Sequence, residues 1–337
     1  MDKDVQQVQA IQSKIIAQQR PEATEARLRV PPKIGQRVSK VLRKLDAKSA
    51  ASARGLTDVA IRNLFILPTI AFLIIFNIFP LIYSLGYSFY DYSAAGNAPP
   101  VFVGLQNYKD LLESPYIWNN FSITAKYVLL SVGGQVIVGF GIAVLLNRAI
   151  PSKGLITTLL LLPMMMSAAV VGLFWQLLYS PSWGPINYIF GLGDFPWLSD
   201  PTVALYAVAI TDIWMWSPFV MLLSLAGLSA VPKHLYEAAA IDRASGWYTF
   251  TRITLPLVAP LLLIAIIFRT MEAFKTFDIA YVMSVQPTTE LISIRLYKLA
   301  FQEWQTGRSC ALAYIVLIMV LAITNIYVKY LNQVRAR

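Results

Sequence analysis

Two stretches of this sequence carry polar groups inside runs that are otherwise apolar. In "TDIWMWSPFVM" Asp212 is followed by Trp214, Met215, Trp216 and Phe219. In "FRTMEAFKTFD" Arg269, Glu272, Lys275 and Asp278 recur every three residues with alternating sign. Ionisable groups are costly in hydrocarbon and mark either a pathway or a paired structural site. Two kinds of chemistry fit these residue types. Indole faces cover the C–H faces of a sugar ring while carboxylates accept from its hydroxyls, giving an aromatic-lined polar cavity. Alternatively, neighbours three apart pair along a helix surface and neutralise one another. Arg269 fits either a bond to Glu272 or an anionic group on a ligand.

Residues 237–256, "EAAAIDRASGWYTFTRITLP", form a third polar stretch between long apolar runs. Pro232 suits the first position of a helix, where its missing N–H costs nothing. "KHLYEAAAIDRAS" is rich in helix formers, and Gly246 is suited to end it. "WYTFTRI" then leads to Pro256, placed to start the next apolar run. The expected form is helix, turn, short helix. Small alanine side chains let such a helix come close to another surface, so a docking element and a solvated connector are both open on these grounds.

Other chemistry is missing. There is no G-x-x-x-x-G-K-[ST] phosphate loop, no H-E-x-x-H, no G-x-S-x-G and no Asp-rich pair. One Cys (Cys310) and one His (His234) leave no intrachain disulfide, thiolate cluster or His-ligated metal site to build. The sequence offers no catalytic residues, no metal ligands and no cofactor site.

The elements that hold these stretches are membrane helices. The 337 residues are 57% hydrophobic and 14% charged, with a mean hydropathy of +0.57. Six apolar runs have about the 20 residues that a bilayer-spanning helix needs. They are Leu64–Phe89, Phe121–Leu146, Leu155–Tyr179, Val203–Ala226, Leu257–Phe277 and Ala311–Tyr330. They are continuous rather than alternating, so they read as helices and not barrel strands. The extreme N-terminus is Gln-rich without an apolar core, so the first run is expected to be an uncleaved helix. With the N-terminus inside, twenty-one Lys and Arg fall on inner segments and four on outer ones. The positive-inside rule therefore places both termini in the cytoplasm. It also accounts for the net charge of +10 without nucleic acid. Residues 1–57 form a basic tail with twelve Lys/Arg against five Asp/Glu. Within it, residues 34–48 have one apolar and one basic face, the pattern of a helix lying on lipid in the membrane interface. Residues 58–337 are then the membrane domain, with an inner loop at 228–256.

That loop resembles the EAA loop of permease subunits of binding-protein-dependent ABC importers. The family pattern is E-A-A, three residues, G, nine residues, I-x-L-P. Here it is met by Glu237-Ala238-Ala239, Ile253, Leu255 and Pro256, with Arg243 where the family usually has glycine. "FVGLQNYKDLL", "PFVMLLSLAGLSAVPKHLYEAA" and "FDIAYVMS" are similar to sugar-importer permeases of the maltose and glycerol-3-phosphate type. The likeness runs from about residue 64 onward. It implies an all-α type I importer permease with six transmembrane helices, in a bacterial or archaeal inner membrane. It implies that the loop docks on an ATPase through Glu237, Ala238, Ala239, Asp242, Arg243, Gly246, Leu255 and Pro256. It assigns a substrate pathway to Asp212, Trp214, Met215, Trp216, Phe219, Arg269, Glu272, Ala273 and Asp278. The implied partners are a second, homologous permease, two ATPase subunits that hold ATP and Mg, and an extracytoplasmic sugar-binding protein. The rival readings are an amino-acid or peptide ABC permease, a stand-alone secondary transporter or channel, and a membrane enzyme of lipid metabolism.

Overall fold

A computed structural model describes residues 58–96, 98–148, 150–283 and 287–335. The basic tail, with the interfacial helix expected at 34–48, lies outside the described residues. The chain divides between Ile75 and Phe76 into two units. In the first, the described element is helix α1 (Asp58–Leu73). The second opens with α2 (Phe79–Tyr87), followed by a short hairpin pairing Tyr90 with Phe102 and Asp91 with Val101. Next come α3 (Gln106–Glu113), α4 (Pro115–Leu146), α5 (Lys153–Met165), α6 (Ala168–Leu178) and α7 (Pro185–Phe190). The remainder is α8 (Ala204–Ala230), α9 (Lys233–Ile241), α10 (Gly246–Thr249), α11 (Leu255–Phe274), α12 (Asp278–Met283), α13 (Ile292–Tyr297) and α14 (Thr306–Arg335).

Five helical stretches among the described residues are long and apolar enough to cross a membrane, or six if α5 and α6 count as one span. That pair differs from the single straight helix expected over Leu155–Tyr179. It bends by 95°. Pro163 lies inside the last turn of α5 and has no N–H to continue the ladder. Met166 and Ser167 then take extended backbone angles before α6 begins.

The central pair is α4 and α8, with α11 packed on both. Its interface mixes polar and small residues with apolar ones, and large apolar side chains also face outward. On α4, Asn120, Thr124, Ser131, Gln135 and Gly139 are buried among apolar residues such as Ile123, Tyr127, Val128 and Val132, while Leu129 and Ile137 are each 75% exposed. Lipid is as apolar as leucine, so helices meet through small and polar residues and leave their apolar faces outward. Gly139 marks the closest approach. A Cβ there would lie 2.5 Å from the Ser217 carbonyl oxygen and 2.8 Å from Val220 Cβ, whereas Gly133 and Gly141 face open space. Gly139→Ala is therefore expected to lower the melting temperature in detergent by several degrees, an overpacking cost of about 1–3 kcal/mol. Gly133→Ala should leave it level or raise it, because alanine is the better helix former. Equal melting of the two variants would contradict the tight crossing.

The segment that follows α11 folds over one end of the bundle. Asn120 Nδ2 donates to the Glu290 carbonyl at 2.8 Å, and the Ile292 N–H donates to Thr124 Oγ1 at 2.9 Å. Lys298 Nζ meets the buried Glu290 carboxylate at 2.8 Å. The 228–256 segment lies at the other end of α8, one membrane-length helix away.

Candidate functional site

The segment after α8 is held by one face only. Leu235 and Tyr236 pack with Ile253 on a cluster of Ala143, Leu146, Met221, Leu228, Val231 and Val258. Ala239 is buried beside them, and Tyr236 Oη lies 3.1 Å from Thr254 Oγ1. These residues fall on one stripe of α9. Glu237 and Ala238 point away and are exposed, as are Asp242, Arg243, Gly246 and Pro256; Leu255 is half-buried.

α9 does not end on glycine. The Ala244 N–H donates to the Ala239 carbonyl at 2.9 Å and the Arg243 N–H to the Ala240 carbonyl at 3.1 Å. This is a Schellman motif, whose C′ residue must be left-handed. Arg243 takes that place with φ 53°. Glycine adopts such an angle freely, whereas a residue with a Cβ loses roughly 1–2 kcal/mol. The usual glycine of the EAA pattern thus has a backbone reason, and the arginine departs from it. Gly246, expected to close the helix, instead opens the next one. Ser245 caps that helix, its Oγ accepting from the Tyr248 N–H at 3.2 Å. No turn separates it from the following span. Gly246–Phe274 is one helical run, with a π turn at Phe250–Thr254 in which the Leu255 N–H reaches back to the Phe250 carbonyl. Pro256, just beyond, cannot donate, and the wider turn takes up the irregularity.

Inside the membrane stretch, three helices meet through polar side chains. Gln135 of α4 donates from Nε2 to Asp212 Oδ2 of α8 at 2.8 Å. Arg269 of α11 donates from Nε to Gln135 Oε1 at 2.8 Å, and its terminal nitrogen lies 3.4 Å from Asp212 Oδ2. The guanidinium also sits 4.5 Å from the centre of the Trp216 ring. Gln135, Asp212 and Arg269 are 0%, 1% and 3% exposed. Tyr127 and Ser131, on the same stripe of α4, flank the Asp212 carboxylate. Arg269 is therefore bound across helices rather than to Glu272.

The remainder of the alternating row lies at the surface. Glu272 and Lys275 pair at 2.7 Å with both side chains 57% exposed. Asp278 is exposed at the start of α12, past the end of α11. A cleft of about 160 Å³ runs between Asp212, Trp216, Arg269, Glu272, Lys275 and Asp278, with Thr276 and Phe277 at its edge. The other pathway candidates do not line it. Trp214 packs edge-on against Trp175 at 5.6 Å, Met215 and Ala273 are buried in the main core, and Phe219 is half-buried. Gln135, Thr276 and Phe277 were not singled out from the sequence, and Lys275 was named in the charged row without being assigned to the pathway. Gln135 carried a usable signal, being a polar side chain in an apolar span.

Residues 135–335 match the family described as "Binding-protein-dependent transport system inner membrane component". The chain is 35% identical over 274 residues to the trehalose/maltose transport system permease protein MalF of Thermococcus litoralis, covering 79% of this chain and 92% of that one. It is 30% identical over 263 residues to the trehalose transport system permease protein SugA of Mycobacterium tuberculosis, covering 78% and 85%. Among solved structures, a chain from a bacterial ABC transporter involved in the import of the acidic polysaccharide alginate superposes with a TM-score of 0.71 at 22% identity. That superposition covers 81% of this chain and 95% of that one. The family match takes in both the three-helix polar cluster and the whole exposed loop. This chain belongs to that family: it is a multi-pass inner-membrane permease subunit of an ABC importer, a non-catalytic translocation component without a cofactor of its own, with ATP hydrolysis in a partner ATPase.

Proposed function

We propose that this permease moves a neutral sugar or polyol, and that the cleft beside Trp216 is its share of the pathway. The observation that carries this reading is the state of the charges around the cleft. Arg269, the one cation inside the bundle there, is already held by Asp212, Gln135 and Trp216. Glu272 and Lys275 neutralise each other, leaving hydrogen-bonding groups beside an indole but, among the described residues lining the cleft, no unpaired cation for an acidic ligand. The names of the two relatives, which refer to trehalose and maltose, support the same class. At about 160 Å³ the cleft is smaller than the 300–1,000 Å³ of ligand pockets, so a second, homologous permease would supply the facing wall. In this assembly the 228–256 loop docks on one of two ATPase subunits, the second permease takes the other, and an extracytoplasmic binding protein delivers substrate to the opposite end. Both termini are cytoplasmic by the positive-inside rule. Closure of the ATPases rocks the helices as rigid bodies through Glu237, Ala238 and their neighbours.

The test is uptake into vesicles by the complete transporter with its binding protein. Glu272→Gln is expected to lower uptake of a neutral disaccharide about tenfold or more, since a hydrogen bond to a charged group is worth about 1.5–3 kcal/mol. Trp216→Ala should act at least as strongly. Uptake unchanged in both variants would remove this cleft from the pathway.

A further inference from the structure

We propose that Arg243 is an ionic recognition contact: its guanidinium meets a carboxylate on the ATPase subunit, so that this permease selects its ATPase by charge as well as by shape. The inference rests on the reading that the 228–256 loop docks on the ATPase, and it adds to that reading a residue at which the family pattern is broken.

Three observations converge on Arg243. Its backbone is in the left-handed region at φ 53°, in a Schellman turn that a glycine would close more easily. The fold therefore gives no reason for an arginine here. Its side chain is exposed and takes part in none of the ion pairs among the described residues, so no described residue employs the charge. It is also bracketed along the chain by two large apolar side chains left in the open, Ile241 at 82% and Trp247 at 74% exposure. Arginine with an aromatic and an aliphatic neighbour is the composition of an interface anchor, not of a solvated connector.

The chemistry of the partner follows from the guanidinium. Its planar fork of donors matches a carboxylate bidentately, a geometry that lysine lacks. An anionic lipid headgroup is the competing occupant. It is disfavoured because Glu237 and Asp242 are exposed on the same segment as Lys233, Arg243 and Arg252, so the segment is of mixed sign and not a basic cluster. A protein carboxylate placed opposite one arginine, and away from two acids, suits the observed mixture of signs.

The experiment measures binding of the purified ATPase subunit to the full-length permease pair in detergent, at 50 and 500 mM NaCl. Arg243→Gly keeps the turn and is expected to weaken binding about tenfold at low salt, with the difference closing at high salt as screening removes the ionic part. Arg243→Glu is expected to lose about a hundredfold at low salt, since it sets like charges opposite each other. Arg243→Lys should recover only part of the wild-type affinity. Arg243→Gly binding as tightly as wild type at both salts would overturn the proposal. So would an effect that is seen only in vesicles containing anionic lipid and is absent in detergent. Glu237→Lys separates the two levels of the inference. If it leaves ATPase binding intact, the docking reading itself fails; if it abolishes binding while Arg243→Gly does not, only the ionic contact falls.

Discussion

Arg269→Ala is expected to lower the stability of the permease by about 3–5 kcal/mol, the cost of removing one member of a buried ion pair. It is also expected to depress uptake of neutral and acidic sugars by the same factor. The first effect comes from what the arginine leaves behind. Asp212 would keep a buried carboxylate without its cation, and Gln135 Oε1 would lose its donor. Trp216 would lose the guanidinium over its ring. Since α4, α8 and α11 each contribute one member, the damage reaches the joint of three helices at once. Thermal unfolding in detergent measures this part. Replacing Asp212 and Arg269 together by apolar residues should recover much of the loss, because the unpaired charge then disappears with its partner. The second effect distinguishes a structural pin from a ligand group. A pin disturbs the cleft for every substrate alike. A substrate-recognising arginine would lose acidic sugars far more than neutral ones, and that result would return Arg269 to the pathway.

The sequence made some of this visible for physical reasons and hid the rest for equally physical ones. Long apolar runs locate spans because each span must close its own hydrogen bonds. The runs therefore appear as α4, α8, α11 and α14 with shifted ends. α4 begins at Pro115 rather than Phe121, because the polar residues Asn119 and Asn120 belong to the helix although they weaken its apolar signal. The 95° break between α5 and α6 was not legible. A proline in an apolar run shows where the ladder weakens, but the packing of neighbours sets how far the chain turns. Of the alternating row from Arg269 to Asp278, the structure forms one pair that the spacing suggests. Spacing of three reports neighbours on one helix, and Glu272 with Lys275 obeys it. Arg269 escapes it, because its partners stand on two other spans and sequence spacing carries no information about those contacts. In the loop, the identity of Gly246 suggested a helix end. The end is fixed instead by which carbonyls of α9 capture the next two N–H groups, and this places Arg243 in the left-handed position three residues earlier.

Glu237→Lys is expected to abolish uptake while leaving the subunit folded, inserted and thermally unchanged. The two halves of that expectation rest on different faces of α9. Leu235, Tyr236 and Ala239 hold the helix to the bundle, through the cluster at Val231 and Val258 and the hydroxyl contact to Thr254. Glu237 faces the other way, is exposed, and enters none of the ion pairs among the described residues. Exposed substitutions away from structural features shift stability by only about 0.5 kcal/mol in either direction. A melting curve should therefore overlay that of the wild type. Any large effect must then arise in the assembly. If the carboxylate is desolvated against the ATPase, reversing its charge leaves two like charges in one interface. Truncating a buried interfacial charge costs about 2–5 kcal/mol, and reversal costs at least as much, so uptake should fall by a hundredfold or more. ATP hydrolysis should continue at its basal rate but no longer rise when substrate-loaded binding protein is added, because closure of the ATPase is no longer transmitted to the helices. Three readouts are needed together: melting temperature, basal against stimulated hydrolysis, and uptake. Wild-type uptake would remove Glu237 from the docking surface. Lost uptake with a lowered melting temperature would instead make Glu237 a residue of the fold, against the exposure of its side chain. Only lost uptake with an intact melt identifies the exposed face of α9 as the surface through which ATP hydrolysis moves the bundle.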